Sequence, residues 1–359
     1  MAKVRLGDVA VERKETSKNN QPFPTVGLEH LIPEEVTLTQ WEENSDNTFT
    51  KIFRKGDVLF GRRRAYLKKA AVAPMDGICS GDITVVSAKP EKIKPELLPF
   101  IIQNDDFFDF AVEKSAGSLS PRAKWQHLKD YEFNLPDLDE QERLAEILWA
   151  MQDTKRAYQN LLKRTDELVK SQFIEQIEGR YPEITLGDEI ETTSGGTPSR
   201  KKSEYYDEGD IPWLTSGEVN RGIINSVNAF ITKLGLENSS AKWVPAGSVV
   251  IAMYGATAGA VGLLEVPTTT NQAVCSLLPS EKFDPFYLYQ AVSQKREWMI
   301  ASTNGAAQPN ISQTIIKKMR ITKPPMEVQR SFSEFIRQSD KSKYINDVVR
   351  RSLCLTKIQ

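Results

Sequence analysis

Cysteine is scarce. Cys79, Cys275 and Cys354 are the only three in 359 residues, far apart and without a C-x-x-C pair. That excludes a disulfide framework and a thiolate zinc site, and fits reduced thiols in a cytoplasm. Histidine is scarcer still: His30 and His127 are distant in sequence. Two such residues argue against a histidine-based metal centre or a His/Cys catalytic pair, so no metal and no catalytic residue is expected. Long apolar runs are missing too, since none reaches the roughly 18 residues that span a bilayer. The opening "MAKVRLGDVA" has no apolar region of the secretory kind. A cytoplasmic chain with no membrane partner is expected. Nor is there an excess of charge, because 47 Lys and Arg face 48 Asp and Glu, a formal net charge of −1. A free-standing DNA binder usually carries a basic excess. Either DNA is not the partner, or the positive charge is local, or another subunit supplies it.

What the sequence does have is itself, twice. At 40% hydrophobic and 26% charged residues the chain is ordinarily globular, and its length suggests two domains. One fixed offset carries Gly117 onto Gly305, Pro121 onto Pro309, Pro136 onto Pro324, Leu138 onto Met326, Asp139 onto Glu327 and Gln141 onto Gln329. Upstream, "VRLGDVA" from Val4 answers "ITLGDEI" from Ile184, and "FRKGDVLFG" answers "VPAGSVVIA" on Gly56 and Gly247. Each copy runs in the same order. Short alternating apolar runs between turns read as strands, such as "GDVLFG" and "GSVVIAMYG". A short helical piece follows, then a Gly-x-x-x-Pro loop ("GSLSPRAKW", "GAAQPNISQ"), then a short strand ending in proline, then a long helix.

The first long helix is expected over about Leu138 to Glu178. Leu144, Met151, Tyr158, Thr165 and Gln172 sit seven apart, and Ile147, Thr154, Leu161 and Leu168 fill the alternate heptad positions. The second, from Met326, sets Phe332, Ser339 and Asn346 seven apart, with Phe335, Ser342 and Val349 between. Both helices could simply cover their own domains. Length argues otherwise: about 41 residues at roughly 1.5 Å each is about 60 Å, too long to cap one small domain. Packed antiparallel, the two helices give one chain a pseudo-two-fold arrangement with a mixed domain at each end.

These features resemble the specificity subunit of a type I restriction-modification system. The resemblance rests on "LGDEIETTSGGTPSRKKSEYYDEGDIPWLTSGEVN" from Leu186, on "NGAAQPNIS", and on the junctions "LPDLDEQERLAEIL" and "KPPMEVQRSFSEFI". It covers essentially the whole chain and implies an α+β architecture with two target-recognition domains, strand-rich with short helices, separated by two long helices packed as an antiparallel coiled coil. The implied divisions are residues 1–136, a central spacer helix 137–180, residues 181–325, and a C-terminal helix 326–359. It further implies double-stranded DNA with a bipartite site as one partner, and methyltransferase and restriction/translocase subunits as others. S-adenosylmethionine, ATP and magnesium would belong to those subunits, with no cofactor on this chain. The copies are unequal: Ser-Gly-Gly-Thr-Pro at 194–198 has "ERKETSKNNQPFPT" in its place in copy one.

Candidate DNA-contacting residues follow from side-chain chemistry. "GRRRAYLKK" is the most basic stretch. Its Arg62, Arg63, Arg64, Tyr66, Lys68 and Lys69 are suited to phosphates or guanine edges, or form a solvated charged turn. Its counterpart "YGATAGAVG", with Tyr254 and Thr257, is nearly uncharged. It either lets backbone approach DNA or is a packed Gly/Ala turn, and it lacks the Lys-Ser/Thr of a phosphate loop. "TTSGGTPSRKKSEYY" gathers Thr197, Arg200, Lys201 and Lys202 for phosphate contact, or is a flexible surface loop. In the two Gly-x-x-x-Pro loops, Arg122, Lys124, Gln308, Asn310 and Gln313 carry groups that can read base edges or brace a structural loop. Expected helix-packing residues are Leu144, Met151, Tyr158, Leu161, Leu168, Phe332, Phe335 and Val349. An enzyme is disfavoured, because the chain has no G-x-G-x-x-G loop and no Asn/Asp-Pro-Pro-Tyr site, and "KPPM" matches only the prolines. The alternative is a coiled-coil scaffold with no DNA role.

Overall fold

The computed structural model describes residues 2–17, 24–43, 48–116, 121–303 and 310–339. Gly117, Gly305, Gln308, Pro309, Val349 and Cys354 lie outside them. The chain divides into two compact units that part between Gln159 and Asn160.

In the first unit, four antiparallel strands lie in the order Ala10–Glu12, Ile83–Ala88, Val58–Gly61 and Ala70–Val72. The strand Val58–Gly61 is buried at every position because both faces of its sheet are covered. Val58 and Phe60 face one core with Phe107 and Phe108, while Leu59 faces another with Ala71 and Val85. The two-residue period of a strand thus sorts one apolar run into two cores. A second sheet sets Gly77–Cys79 between Thr25–Val26 and Lys51–Phe53.

The second unit repeats this plan. Its five-stranded sheet runs Thr192–Ser194, Val274–Leu277, Val249–Ala252, Val261–Leu264, Ile223–Ile224. Val249 and Ile251 face one core, Val250 and Ala252 the other. The smaller sheet runs Phe230–Ile231, Ile211–Leu214, Thr268–Thr270, Trp243–Val244.

Each unit closes with a two-stranded antiparallel ladder. Ala2–Arg5 pairs Glu132–Leu135, and Glu183–Thr185 pairs Arg320–Thr322. The Leu-Gly-Asp turn after the first strand of each ladder packs tightly. A Cβ on Gly7 would lie 3.0 Å from the Lys129 side chain, and one on Gly187 2.8 Å from that of Lys317. Proline then stops the second strand, because it cannot donate to a ladder.

The helices that follow start at a duplicated clamp. The Gln141 amide donates to the Pro136 carbonyl at 2.8 Å, and its oxygen accepts from the Lys94 backbone N–H at 2.9 Å. Gln329 does the same with the Pro324 carbonyl, 2.9 Å, and the Asp284 N–H, 2.9 Å. Both glutamines are almost fully buried, where an unmatched amide costs about 1–3 kcal/mol. The Gln141–Gln329 repeat is therefore a structural device.

The long helix covers Leu138–Gln176, 39 residues. Its start lies on the first unit, where Leu144, Ala145, Leu148 and Trp149 join the core. The Trp149 ring meets Phe100 edge-on at 5.2 Å and its Nε1–H donates to the Glu96 carbonyl at 3.0 Å. Its end lies in the second unit, where Val169, Phe173 and Ile177 are buried. The column Leu144, Met151, Tyr158, Thr165, Gln172 is half-buried throughout. Its companion differs from the sequence reading. Ile147, Thr154, Leu161 and Leu168 are exposed, and Leu148, Lys155, Leu162 and Val169 take their place. Positions three and four along a helix are both surface neighbours. Leucines at 161 and 168 favoured the first spacing; burial follows the second.

The closing helix of the second unit is described over 326–339. Phe332 is buried and Phe335 packs against the same core. The Phe173 ring sits 5.6 Å from Phe332, edge to face.

Candidate nucleic-acid interface

In both units the loop after the central strand meets the end of the Gly-x-x-x-Pro loop on one backbone frame. In the first unit the Arg62 N–H donates to the Asp82 carbonyl at 3.0 Å, and Ala123 N–H donates to the Arg62 carbonyl at 2.8 Å. Arg63 and Arg122 form an antiparallel bridge between these two bonds' loops. In the second unit the Met253 N–H donates to the Ala273 carbonyl at 2.7 Å, Ile311 N–H to the Met253 carbonyl at 2.8 Å, and Tyr254 bridges Asn310. The register agrees, since Val58 pairs Val86 where Val249 pairs Leu277.

The side chains on this frame differ. In the first unit Asp82 lies among arginines. Its Oδ1 accepts from Arg122 Nε at 2.8 Å, and its Oδ2 lies 3.5 Å from Arg63 Nη1. The Arg122 hydrogen bond, and the charge of the surrounding arginines, hold the Asp82 carboxyl below the usual carboxylate range. Arg62 Nε is buried and has no hydrogen-bond partner among the described residues. Arg64 is exposed, its backbone N–H donating to the Pro121 carbonyl at 3.0 Å. Arg64 (φ 55°) and Lys68 (φ 51°) are both left-handed and flank a short 3₁₀ turn. L-residues hold that conformation only when their surroundings impose it. Tyr66 stands 55% exposed at the tip. The lysines turn elsewhere: Lys68 pairs with Asp105 at 2.7 Å, and Lys69 Nζ donates to the Leu28 carbonyl at 2.7 Å. Lys124 is exposed just before the helix Trp125–Leu128.

In the second unit the frame carries polar, uncharged groups. The Tyr254 hydroxyl donates to the Gln272 carbonyl at 2.9 Å, and Thr197 hydrogen-bonds the Gln272 side chain. Thr197, Tyr254 and Gln272 thus form one cluster beside Asn310. Thr257 is held by the Ser216 carbonyl at 2.9 Å. Gln313 is half-buried and opens the helix Gln313–Lys317. Arg200 and Lys201 are exposed, whereas Lys202 donates to the Tyr205 hydroxyl at 2.9 Å. The sequence reading missed Asp82 and Gln272. Each precedes a central strand in a turn without a motif of its own.

The glycines of "SGGTP" serve close packing. A Cβ on Gly195 would fall 1.8 Å from the Thr270 carbonyl oxygen, and one on Gly196 2.2 Å from Ser240. The approach lets the Gly196 carbonyl accept from Trp213 Nε1 at 3.0 Å. Gly195→Ala is expected to destabilise the second unit by about 1–3 kcal/mol, measurable by denaturant unfolding. An unchanged midpoint would contradict this contact.

Burial pushes the Cys79 and Cys275 thiols up to about 12, so neither is a reactive thiolate. Among the described residues, no group of three or more His, Cys, Asp or Glu is placed to hold a metal, and no helix is long and apolar enough to cross a membrane.

One framework built twice with different contents is the pattern of a duplicated domain. The model of the type I restriction modification DNA specificity domain matches residues 1–164 and again 180–350. The chain belongs to that family. Among its relatives is the EcoR124I/EcoR124II specificity subunit of Escherichia coli, 26% identical over 203 residues, 55% of this chain. The HindI specificity subunit of Haemophilus influenzae is 20% identical over 364 residues, 77% of this chain and 79% of the relative. The chain spans half the length of the first of these. In fold it is similar to the crystal structure of a type I S subunit from M. genitalium, with TM-score 0.61, 14% identity, and coverage of 99% of this chain and 93% of that one. A structure from a study of type I complex assembly matches with TM-score 0.50 and 20% identity over 99% of this chain and 93% of that one. The specificity-domain fold is therefore the fold of this chain: α+β, with two recognition domains and a long helix.

Proposed function

We propose that this chain is the non-catalytic specificity subunit of a cytoplasmic type I restriction-modification complex and reads a bipartite, asymmetric DNA target. Each unit reads one half-site, and the long helices set the gap. Methyltransferase and restriction/translocase subunits dock on the chain and bring S-adenosylmethionine, ATP and magnesium with their chemistry. The observation that carries this reading is the shared backbone frame. It presents Arg62, Arg63 and Arg122 in one unit and Tyr254, Asn310 and Gln272 in the other. Arginine pairs bidentately with guanine, and Asn or Gln with adenine, at about 1–3 kcal/mol per good contact. A handful of such contacts per half-site gives discrimination. The near-neutral charge fits a division of labour in which partner subunits supply much of the phosphate attraction.

Replacing Arg62, Arg63 and Arg64 with alanine tests it. The assembled complex is expected to lose about tenfold to a hundredfold in DNA affinity at moderate salt. The slope of log affinity against log salt should flatten by about 0.9 for each phosphate contact removed. Affinity equal to the parent's would return the stretch to solvated surface. A footprint on two short blocks with an unread gap separates this function from a scaffold without a DNA role.

A further inference from the structure

An acidic side chain within a DNA-facing arginine cluster needs a reason, because it repels phosphate. Asp82 is held from both sides. Its N–H donates to Ser80 Oγ at 3.2 Å, its carbonyl accepts from Arg62 N–H at 3.0 Å, and the next amide, Ile83, donates to the Ser80 carbonyl at 3.0 Å. On this fixed base the carboxylate takes a fork from Arg122, Nε at 2.8 Å and Nη2 at 3.5 Å, with Arg63 Nη1 at 3.5 Å. The Asp82 side chain is 19% exposed, while those of Arg63 and Arg122 are 41% and 46% exposed. The anion lies beneath and the cations lie outward. Without it, two guanidinium groups joined by a backbone bridge would repel and disperse among rotamers.

The second unit supplies an internal control. The residue whose carbonyl plays the part of Asp82's is Ala273, and the frame around it holds Met253, Tyr254 and Asn310. Where the frame carries no arginine, it carries no carboxylate. A carboxylate needed only to build the turn would be needed in both units.

We propose that Asp82 is a positioning residue for target discrimination: it pre-sets Arg63 and Arg122 so that one half-site meets both side chains in a fixed arrangement. The proposal rests on the DNA-reading function above. Side chains ordered on folding lose less freedom on binding. A correct base gains contacts from a fixed fork that a wrong base cannot recover by letting the fork move. Asp82 lowers sequence-independent attraction and raises selectivity.

The test uses the full chain assembled with its methyltransferase subunits, carrying Asp82→Asn, Asp82→Glu or Arg122→Ala. Methylated positions are mapped across the host genome, and binding to cognate and scrambled DNA is measured. Asp82→Asn is expected to relax one half of the motif and leave the other intact. Cognate-to-scrambled discrimination should fall about tenfold while scrambled DNA binds as well or better. An unchanged motif, or equal relaxation of both halves, overturns the proposal. Should Asp82→Asn yield no complex, Asp82→Glu decides. It keeps the anion and is expected to keep the motif, so a motif lost there overturns the proposal as well. If Arg122→Ala leaves binding and motif untouched, the DNA-reading role of this loop pair fails, whatever Asp82 does.

Discussion

Inserting seven residues after Gln159 is expected, on the bipartite function proposed above, to widen the unread gap of the DNA target and leave both half-sites unchanged. The long helix runs through the division between the units, from Leu138 to Gln176. Its core contacts cluster at its two ends: Leu144, Ala145, Leu148 and Trp149 in the first unit, Val169 and Phe173 in the second. An insertion between these groups touches neither core. Seven residues add about 10.5 Å of helix and close to two turns, so the apolar columns return to nearly the same face. At about 3.4 Å per base pair this is about three base pairs. A two-residue insertion turns the columns by about 200° and is expected to abolish methylation. Sequencing of modified bases reads both results. Altered half-site bases with an unchanged gap would remove the spacer role of the helix.

The repeat was legible because it is written in local signals. Proline at 136 and 324, the Leu-Gly-Asp turns and the alternating runs each report on the few residues around them. The strands Val58–Gly61 and Val249–Ala252 and the helix from Leu138 lie where those signals put them. The apolar spacing of the helix was ambiguous by one residue, because Leu161 and Leu162 are both leucine and only tertiary packing chooses between them. The glutamines at 141 and 329 were visible as a repeat, yet their partners Lys94 and Asp284 lie more than forty residues away.

The candidate site was half legible for the same reason. Two of its loops carry motifs, and the structure joins them through Arg63–Arg122 and Tyr254–Asn310. The third loop, with Asp82 or Gln272, enters only through sheet pairing. No local pattern announces that a lone acid in "CSGDIT" will lie under two arginines. Neither does sequence spacing tell that Lys69 is held by the Leu28 carbonyl. The sequence offers chemical types; the fold decides which of them face outward together.

Phe173→Ala is the substitution expected to cost most, because Phe173 seats the end of the long helix in the second unit. Its ring is 4% exposed, stacked 6.1 Å from Tyr287 and edge-on to Phe332. Tyr287 is itself fully buried, and its hydroxyl donates to the Thr322 carbonyl at 2.7 Å, on the strand that feeds the closing helix. Removing the ring leaves a cavity bordered by two aromatic side chains that other contacts hold in place, so collapse is limited. A loss of about 3–5 kcal/mol follows for a phenylalanine in such a setting. Hydrogen exchange locates it. Amides of Val249–Ala252 and Arg320–Thr322 are expected to lose protection, while those of Val58–Gly61, in the other unit, keep theirs. Equal loss in both units, or a stability change below about 1 kcal/mol, would contradict this packing. In the assembled complex the same variant is expected to lose first the half-site that the proposed function assigns to the second unit, because Tyr254, Asn310 and Gln272 are presented by the sheet that this core supports.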